Sequence, residues 1–278
     1  MTGKFGDYQL HELLNSGGMT EIWSATDARG RLVALRRLQT GSLRGSAPKL
    51  FKHGREVLEK LARHPHIAGM LDHGKVDGIP FMALELIRGA NLRQWTLRED
   101  SIIDENVSDV IVGMADALDH LHSHGWMHLD VKPENVMVDL RGHTYLIDFD
   151  TARKIPRKPK EFDVASGTPA YMPPEQLLGR PLDHRADIYA FGVTVFELLT
   201  RRKPFEGDRP DLTRQNQLNE RFPVPNASQF NPAVPARLNA ILRSCLEYQA
   251  EKRYPNMTVL NAQLHTVLGV ENVRDKAR

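Results

Sequence analysis

The chain has 278 residues, 41% of them apolar, enough for one large domain or two lobes around a cleft and too apolar for a disordered chain. Its 37 Lys and Arg against 35 Asp and Glu give a net charge of +2, which argues against a dedicated nucleic-acid binder. One cysteine, Cys245, excludes an internal disulfide, suits a reducing compartment and reads as a small buried hydrophobe.

Met1 to Asp7 contains no apolar stretch of the kind a signal peptide needs. The richest apolar run, Ile188 to Leu199, is shorter than a membrane span and contains Glu197. A cytoplasmic protein without membrane contact is therefore expected.

Tyr8 to Leu14, Thr20 to Thr26 and Arg31 to Leu38 are short, partly alternating runs punctuated by Gly17-Gly18 and Arg29-Gly30, and predict strands. A Gly- and Ser-rich loop, Thr40 to Ala47, precedes a helical pattern that Pro48 opens, with Leu50, Val57, Leu58 and Leu61 apolar. Met70 to Gly74 and Pro80 to Ile87 predict two more strands.

After Gly89 helices dominate. Val107 to His122 carries an apolar stripe of Val110, Ile111, Met114, Leu118 and Leu121. Ala186 to Leu199 predicts a mostly buried helix, Pro204 to Pro235 a Pro-rich loop, and Ala236 to Leu268 helix again. A strand-rich part before a helix-rich part predicts an α+β fold with a linker near Leu86 to Gly89. The expected division is a nucleotide-binding lobe at 1–86, a catalytic lobe at 87–268 and a polar tail at 269–278.

The densest chemistry lies in His128-Leu129-Asp130-Val131-Lys132-Pro133-Glu134-Asn135, followed by Asp148-Phe149-Asp150. Phosphoryl transfer needs a carboxylate to orient the attacking hydroxyl, metal ions on the phosphates and cations to offset developing charge. Asp130 can accept the hydroxyl proton, and Lys132 can reach the transferring phosphate. Asn135 and Asp148 offer hard oxygen ligands for Mg²⁺ (or Mn²⁺). Tyr145 to Ile147 reads as a short strand that delivers Asp148.

These motifs resemble the eukaryotic-type Ser/Thr protein kinases, most closely those of bacteria, from about Tyr8 to Val267. Asp130 to Asn135 resembles the family's catalytic loop, with Lys132 pointing to Ser/Thr rather than Tyr substrates. Gly167-Thr168-Pro169-Ala170-Tyr171-Met172-Pro173-Pro174-Glu175 resembles the end of the activation segment. Asp187 to Gly192 resembles the start of the large central helix. The resemblance implies a two-lobed kinase fold, ATP and Mg²⁺ as cofactors, and a protein substrate bearing a Ser or Thr hydroxyl. It implies a pair between Arg253 and Glu175, and a hydrogen-bonding role for Thr168 near Asp130 and Lys132. It further implies Leu84 as gatekeeper, Glu85 to Ile87 as the adenine-contacting hinge, and Ala34 and Met137 around the adenine ring, with Ile22 above it.

Several positions depart from the family's pattern. In Leu14 to Trp23 only the middle of three spaced glycines, Gly17, is present; Asn15 and Thr20 replace the others, and Asn tolerates unusual φ better than β-branched Thr. Arg36 stands where the family has a Lys that holds ATP phosphates, and Arg is not a conservative replacement. Its acidic partner on the first helix is open between Glu56, Glu59 and none. Leu129 replaces a phosphate-binding Arg, so activity is not expected to depend strictly on a phosphate switch. Asp150 replaces a Gly and adds a carboxylate that could compete for Mg²⁺ or repel phosphate.

Other features have plain explanations. His120 and His124 share a helical face, but a structural metal there is not expected. The basic run Arg153 to Lys160 reads as a solvated segment that would favour acidic substrates. Trp23, Trp95 and Trp126 read as packing residues, and Ser166 is an open candidate for autophosphorylation. The expected function is an ATP-dependent Ser/Thr protein kinase of reduced or atypical activity. The alternative is a pseudokinase acting as a nucleotide-binding or regulatory module, and a small-molecule phosphotransferase does not account for Gly167 to Glu175.

Overall fold

The computed structural model describes residues 3–98, 101–162 and 167–270. The chain forms two compact units, Met1–Arg88 with Ile147–Asp150, and Gly89–Leu146 with Thr151–Arg278. Ser166 and residues 271–278 of the expected tail lie outside the described residues.

The first unit is a six-stranded antiparallel sheet with one helix. Its strands are β1 (Gly3–Phe5), β2 (Tyr8–Gly17), β3 (Thr20–Thr26), β4 (Leu32–Leu38), β5 (Met70–Val76) and β6 (Ile79–Glu85), in the order β1-β2-β3-β4-β6-β5. The helix α1 (Ala47–Lys60) follows β4.

Alternation along the strands gives the sheet two faces. Val33 and Leu35 of β4 join Phe81 and Ala83 of β6, with Phe5, Tyr8, Leu10 and Ala25, in one apolar cluster. Leu38 of β4 and Met82 of β6 point the other way and pack with Phe51 of α1. Arg37 follows the first face, its guanidinium over the rings of Phe5 and Trp23. Arg36 follows the second, 5.4 Å from the centroid of Phe51. Burial of the apolar faces, at about 25 cal/mol per Å², is the main favourable term holding the sheet and α1 together.

The second unit is mainly helical. In chain order it contains β7 (Gly89–Asn91), α2 (Leu92–Arg98), α3 (Ser101–Ser123), β8 (Trp126–Met127), β9 (Val136–Asp139), β10 (Thr144–Leu146) and β11 (Arg153–Lys154). Then follow α4 (Pro174–Leu177), α5 (Arg185–Thr200), α6 (Pro210–Leu218), α7 (Ala236–Cys245) and α8 (Met257–Leu268). Residues 110–119 of α3 are all buried, as are 186–198 of α5, so neither helix has a solvated face over these stretches. α8 packs on α3 and α7 on α5. The small strands pair as β10-β9-β7 and β11-β8, which fixes both ends of the loop between β8 and β9.

The structure corrects several expected boundaries. The Pro-rich stretch contains α6, and the last helical region is two helices. The helix expected from Val107 begins at Ser101, but Asn106 has non-helical angles (φ −119°, ψ 17°) and its side-chain amide bonds Ile102 O. Cys245 is buried and free. No described helix is long and apolar enough to cross a membrane.

Candidate functional site

In the second unit the chain leaves β8 through His128 and Leu129, and Leu129 adopts a left-handed φ of 63°. Such a conformation in a branched residue needs surrounding structure to enforce it. The enforcement comes from Asp187 on α5. Its carboxylate accepts the backbone N–H of His128 at 2.7 Å and of Leu129 at 2.8 Å. A third bond, 2.8 Å, joins it to His122 Nε2 on α3. Burial pushes the Asp187 carboxyl up, but the His122 bond and the charges of His122 and His128 outweigh this and hold it below the usual range.

Three of the expected site residues converge beyond this anchor. Lys132 Nζ donates to Asp130 Oδ2 at 2.8 Å and to Thr168 Oγ1 at 3.2 Å. Asn135 Nδ2 donates to Asp130 O at 2.8 Å and to Oδ2 at 2.9 Å. Pro133 starts a short 3₁₀ turn whose fixed φ sets Asn135 back toward Asp130. The Asp130 carboxylate is thus oriented by two donors before any substrate arrives, and Thr168 stands where the sequence placed it. The Asn135 amide nitrogen is committed to Asp130, so the atom it can lend a cation is its carbonyl oxygen.

Leu129 itself is buried. It packs with Met127, Leu182 and Ala186, and Ile155 and Phe162 lie against this cluster. At the position where the sequence suggested a missing phosphate anchor, apolar packing holds the segment after β11. Arg253 donates to both oxygens of Glu175 at 2.7 and 2.8 Å, the pair expected from the sequence.

A second polar cluster was not anticipated. Arg93 on α2 donates to Glu134 at 3.0 Å, to Glu197 on α5 at 2.9 Å, and to the Tyr171 hydroxyl, which itself donates to Glu197. Lys203 lies 3.2 Å from the same Glu197. Burial raises Glu197, but the bonds from Arg93 and Tyr171 bring it below its ordinary value. The hydrogen-bonded pairs among Arg93, Glu134, Tyr171 and Glu197 are 26 to 104 residues apart, so no local spacing signalled the cluster. Met137 is half-buried in β9, paired with Tyr145 and Asn91.

In the first unit, Ile22 lies opposite Arg36, and Ala34 sits between Ser24 and Leu84. Asn15 and Gly17 are exposed at the end of β2. The positive φ of this hairpin is at Gly18 (50°), the first residue of a two-residue loop; neither Asn15 nor Thr20 carries one. The backbone at those two positions therefore does not call on the conformational freedom of glycine. Glu85 is exposed and accepts Gly69 N–H at 3.1 Å; Ile87 is half-buried in the stretch after β6.

Asp148 also has a left-handed φ of 63°, and its side chain is 39% exposed. Asp150, by contrast, is buried and bound by Arg36 through two bonds, Nη1 to Oδ1 at 2.9 Å and Nη2 to Oδ2 at 2.6 Å. Arg36 Nη2 is 3.5 Å from Asp148 Oδ1. Of the three outcomes left open for the first helix, the structure selects the one without an acidic partner, and it corrects the expectation for Asp150. The partner of Arg36 is neither Glu56, which pairs with Lys52 and Arg55, nor Glu59, which pairs with His73 and Arg55. Asp150 is not a loose carboxylate competing for metal: both of its oxygens accept from Arg36, and although burial and the nearby Asp148 push its carboxyl up, the Arg36 charge opposes that shift. Both flanking carboxylates raise Arg36 above its ordinary value against the opposing effect of burial, so it stays cationic.

Among the described residues no group of three or more His, Cys, Asp or Glu is arranged to hold a metal ion. Mg²⁺ is a cation that keeps waters and takes only one or two protein oxygens beside phosphate. Asp148 and the Asn135 carbonyl are oxygen donors of the right hardness.

A sheet with one α-helix followed by a mainly helical unit is the two-lobed architecture of a protein kinase domain. A profile of the protein kinase domain matches residues 8–265, and the chain belongs to that family. It is 30% identical over 268 residues to a probable serine/threonine-protein kinase of Corynebacterium efficiens, covering 92% of this chain and 40% of that protein. Serine/threonine-protein kinase PknE of Mycobacterium tuberculosis is 30% identical over 279 residues, 99% of this chain and 48% of its own length. Serine/threonine-protein kinase PknH of Mycobacterium bovis is 30% identical over 268 residues, 95% and 44% respectively. The chain thus spans about half the length of these relatives or less.

Proposed function

We propose that the chain is an ATP-dependent Ser/Thr protein kinase. The observation that carries this reading is the Asp130 carboxylate held by Lys132 and Asn135, with Thr168 on the same lysine. A carboxylate with two donors fixed on it is suited to orient a hydroxyl and take its proton as the oxygen attacks. The acceptor oxygen forms a bond to the γ-phosphorus, the bond from that phosphorus to the β–γ bridging oxygen breaks, ADP leaves, and the proton passes to Asp130. Lys132 offsets charge on the transferring group. Mg²⁺ or Mn²⁺ would neutralise the phosphates, with Asp148 and Asn135 as its protein ligands. Arg36 offers a cation to the other phosphates, and Ile22, Ala34, Glu85, Ile87 and Met137 are the proposed adenine contacts. The proposed acceptor is a Ser or Thr of a protein.

The reading favours catalysis over a purely regulatory module because Lys132 and Asn135 both converge on one carboxylate oxygen of Asp130, with Thr168 on the same lysine. Transfer of ³²P from ATP to the protein itself and to a generic protein substrate tests it. Incorporation that Asp130→Ala abolishes is expected; none in the unaltered protein, or the same amount in the variant, would refute it.

A further inference from the structure

The strand cation of this chain has an unusual partner. Arg36 projects from β4 on the face that α1 covers, and it is 8% exposed. A cation there needs a carboxylate, yet the two acidic residues on that part of α1, Glu56 and Glu59, are engaged with Lys52, Arg55 and His73. The α1 residue that faces Arg36's partner is Gly54. A Cβ built on it would come within 2.1 Å of Asp150 Oδ1 and 3.1 Å of the Asp150 backbone. Any larger side chain on α1 at this position would displace Asp150. Gly54, Asp150 and Arg36 are therefore one arrangement: the helix gives up a side chain, and the residue after Phe149 supplies the carboxylate.

We propose that Asp150 is the positioning residue for Arg36, fixing its guanidinium for the nucleotide phosphates without a carboxylate from α1; this rests on the kinase reading above. The donor count supports it. A guanidinium has five N–H groups in a rigid fork. Asp150 uses two of them and Nη2 also lies 3.5 Å from Asp148, so the fork still keeps N–H groups that Asp150 does not take and that phosphate oxygens could accept. A lysine could not match the two-point contact, which accounts for arginine at this position. The two neighbouring carboxylates also divide their work. Asp150 is 4% exposed in its side chain and takes the short bonds, whereas Asp148 is 39% exposed and lies farther from Arg36. Asp148 stays available to a cation because Asp150 satisfies the arginine.

The test uses the whole chain with Asp150→Gly, Asp150→Asn, Arg36→Lys, and Asp150→Gly combined with Gly54→Glu. ATP affinity is measured by titration in EDTA and again with Mg²⁺, at a temperature where circular dichroism shows each variant folded. Loss of the positioning contact is expected to weaken ATP binding about tenfold or more in Asp150→Gly and in Arg36→Lys. Arg36→Lys should add little to Asp150→Gly, because the two changes break one contact. Adding Gly54→Glu should recover most of the loss by returning a carboxylate from the helix. Asp150→Asn keeps the shape and one acceptor, so it folds if the glycine variant does not, and it should still bind ATP more weakly than the unaltered protein. ATP affinity in Asp150→Gly or Asp150→Asn equal to or above that of the unaltered protein overturns the proposal alone, even if melting temperature falls. Failure of the unaltered protein to bind ATP under either condition overturns it together with the kinase reading.

Discussion

Arg36 and Asp150, 114 residues apart in sequence, are joined by two hydrogen bonds of 2.9 and 2.6 Å in a buried pair. Removing either partner alone leaves a charge in a place where water cannot replace the lost contact. Arg36→Met or Asp150→Leu is expected to cost about 3–5 kcal/mol in urea unfolding. The double replacement should recover most of that, since an apolar pair of similar volume removes both desolvation costs. A double variant as unstable as the sum of the singles would show that the two residues do not act as a pair.

Asp130 has a different sensitivity. It is half-buried, and its neighbours are held to the chain by other bonds, so Asp130→Asn should fold normally. Loss of the proton acceptor is expected to lower kcat about 10²–10⁴-fold with little change in the KM for ATP. Thr168→Ala should give a smaller fall, because Lys132 keeps its bond to Asp130. Steady-state phosphotransfer with both substrates varied separates the two effects.

Leu129 is expected to act through packing. Leu129→Ala removes the centre of the cluster with Leu182, Ala186, Ile155 and Phe162 and should destabilise by about 2–5 kcal/mol. The segment around Ile155 should become more sensitive to limited proteolysis. Treatment of the unaltered protein with a phosphatase should leave its activity nearly unchanged, since this position offers no cation to a phosphate. A large fall after dephosphorylation would contradict that.

The Asp187 carboxyl gives a pH dependence with a definite sign. Its folded pKa is depressed, so its contribution is present above the unfolded value of about 4 and is lost as pH falls through the folded one. Glu197 acts in the same direction. Stability measured by urea titration should therefore decline below about pH 4. Asp187→Asn should be less stable at neutral pH and show a flatter decline on acidification, because its amide cannot accept the His128 and Leu129 N–H groups on both of its heteroatoms.

Local patterns carried much of the fold. Alternation in β3 and β4 and the apolar stripe of α3 are properties of neighbouring residues, and they placed these elements within a few positions. The short β1 and α2 escaped because three to seven residues hold too little periodicity. α6 escaped because Pro210 reads as a loop signal, although proline is acceptable at the start of a helix. The site divided in the same way. Asp130, Lys132 and Asn135 lie within six residues, so their spacing already confined them to one loop, and Thr168 was added through the resemblance.

The sequence by itself determined the family, named the candidate reactive groups and marked Arg36, Leu129 and Asp150 as unusual. It could not determine what those residues do, because each acts through partners distant along the chain. Only the tertiary structure turned Asp150 from a stray negative charge into the partner of Arg36, with Gly54 making room. It likewise turned Leu129 from a missing phosphate anchor into the centre of an apolar cluster. The physical reason is common to both cases: burial decides whether a charge is neutralised and a side chain packed, and burial depends on contacts that no local pattern encodes.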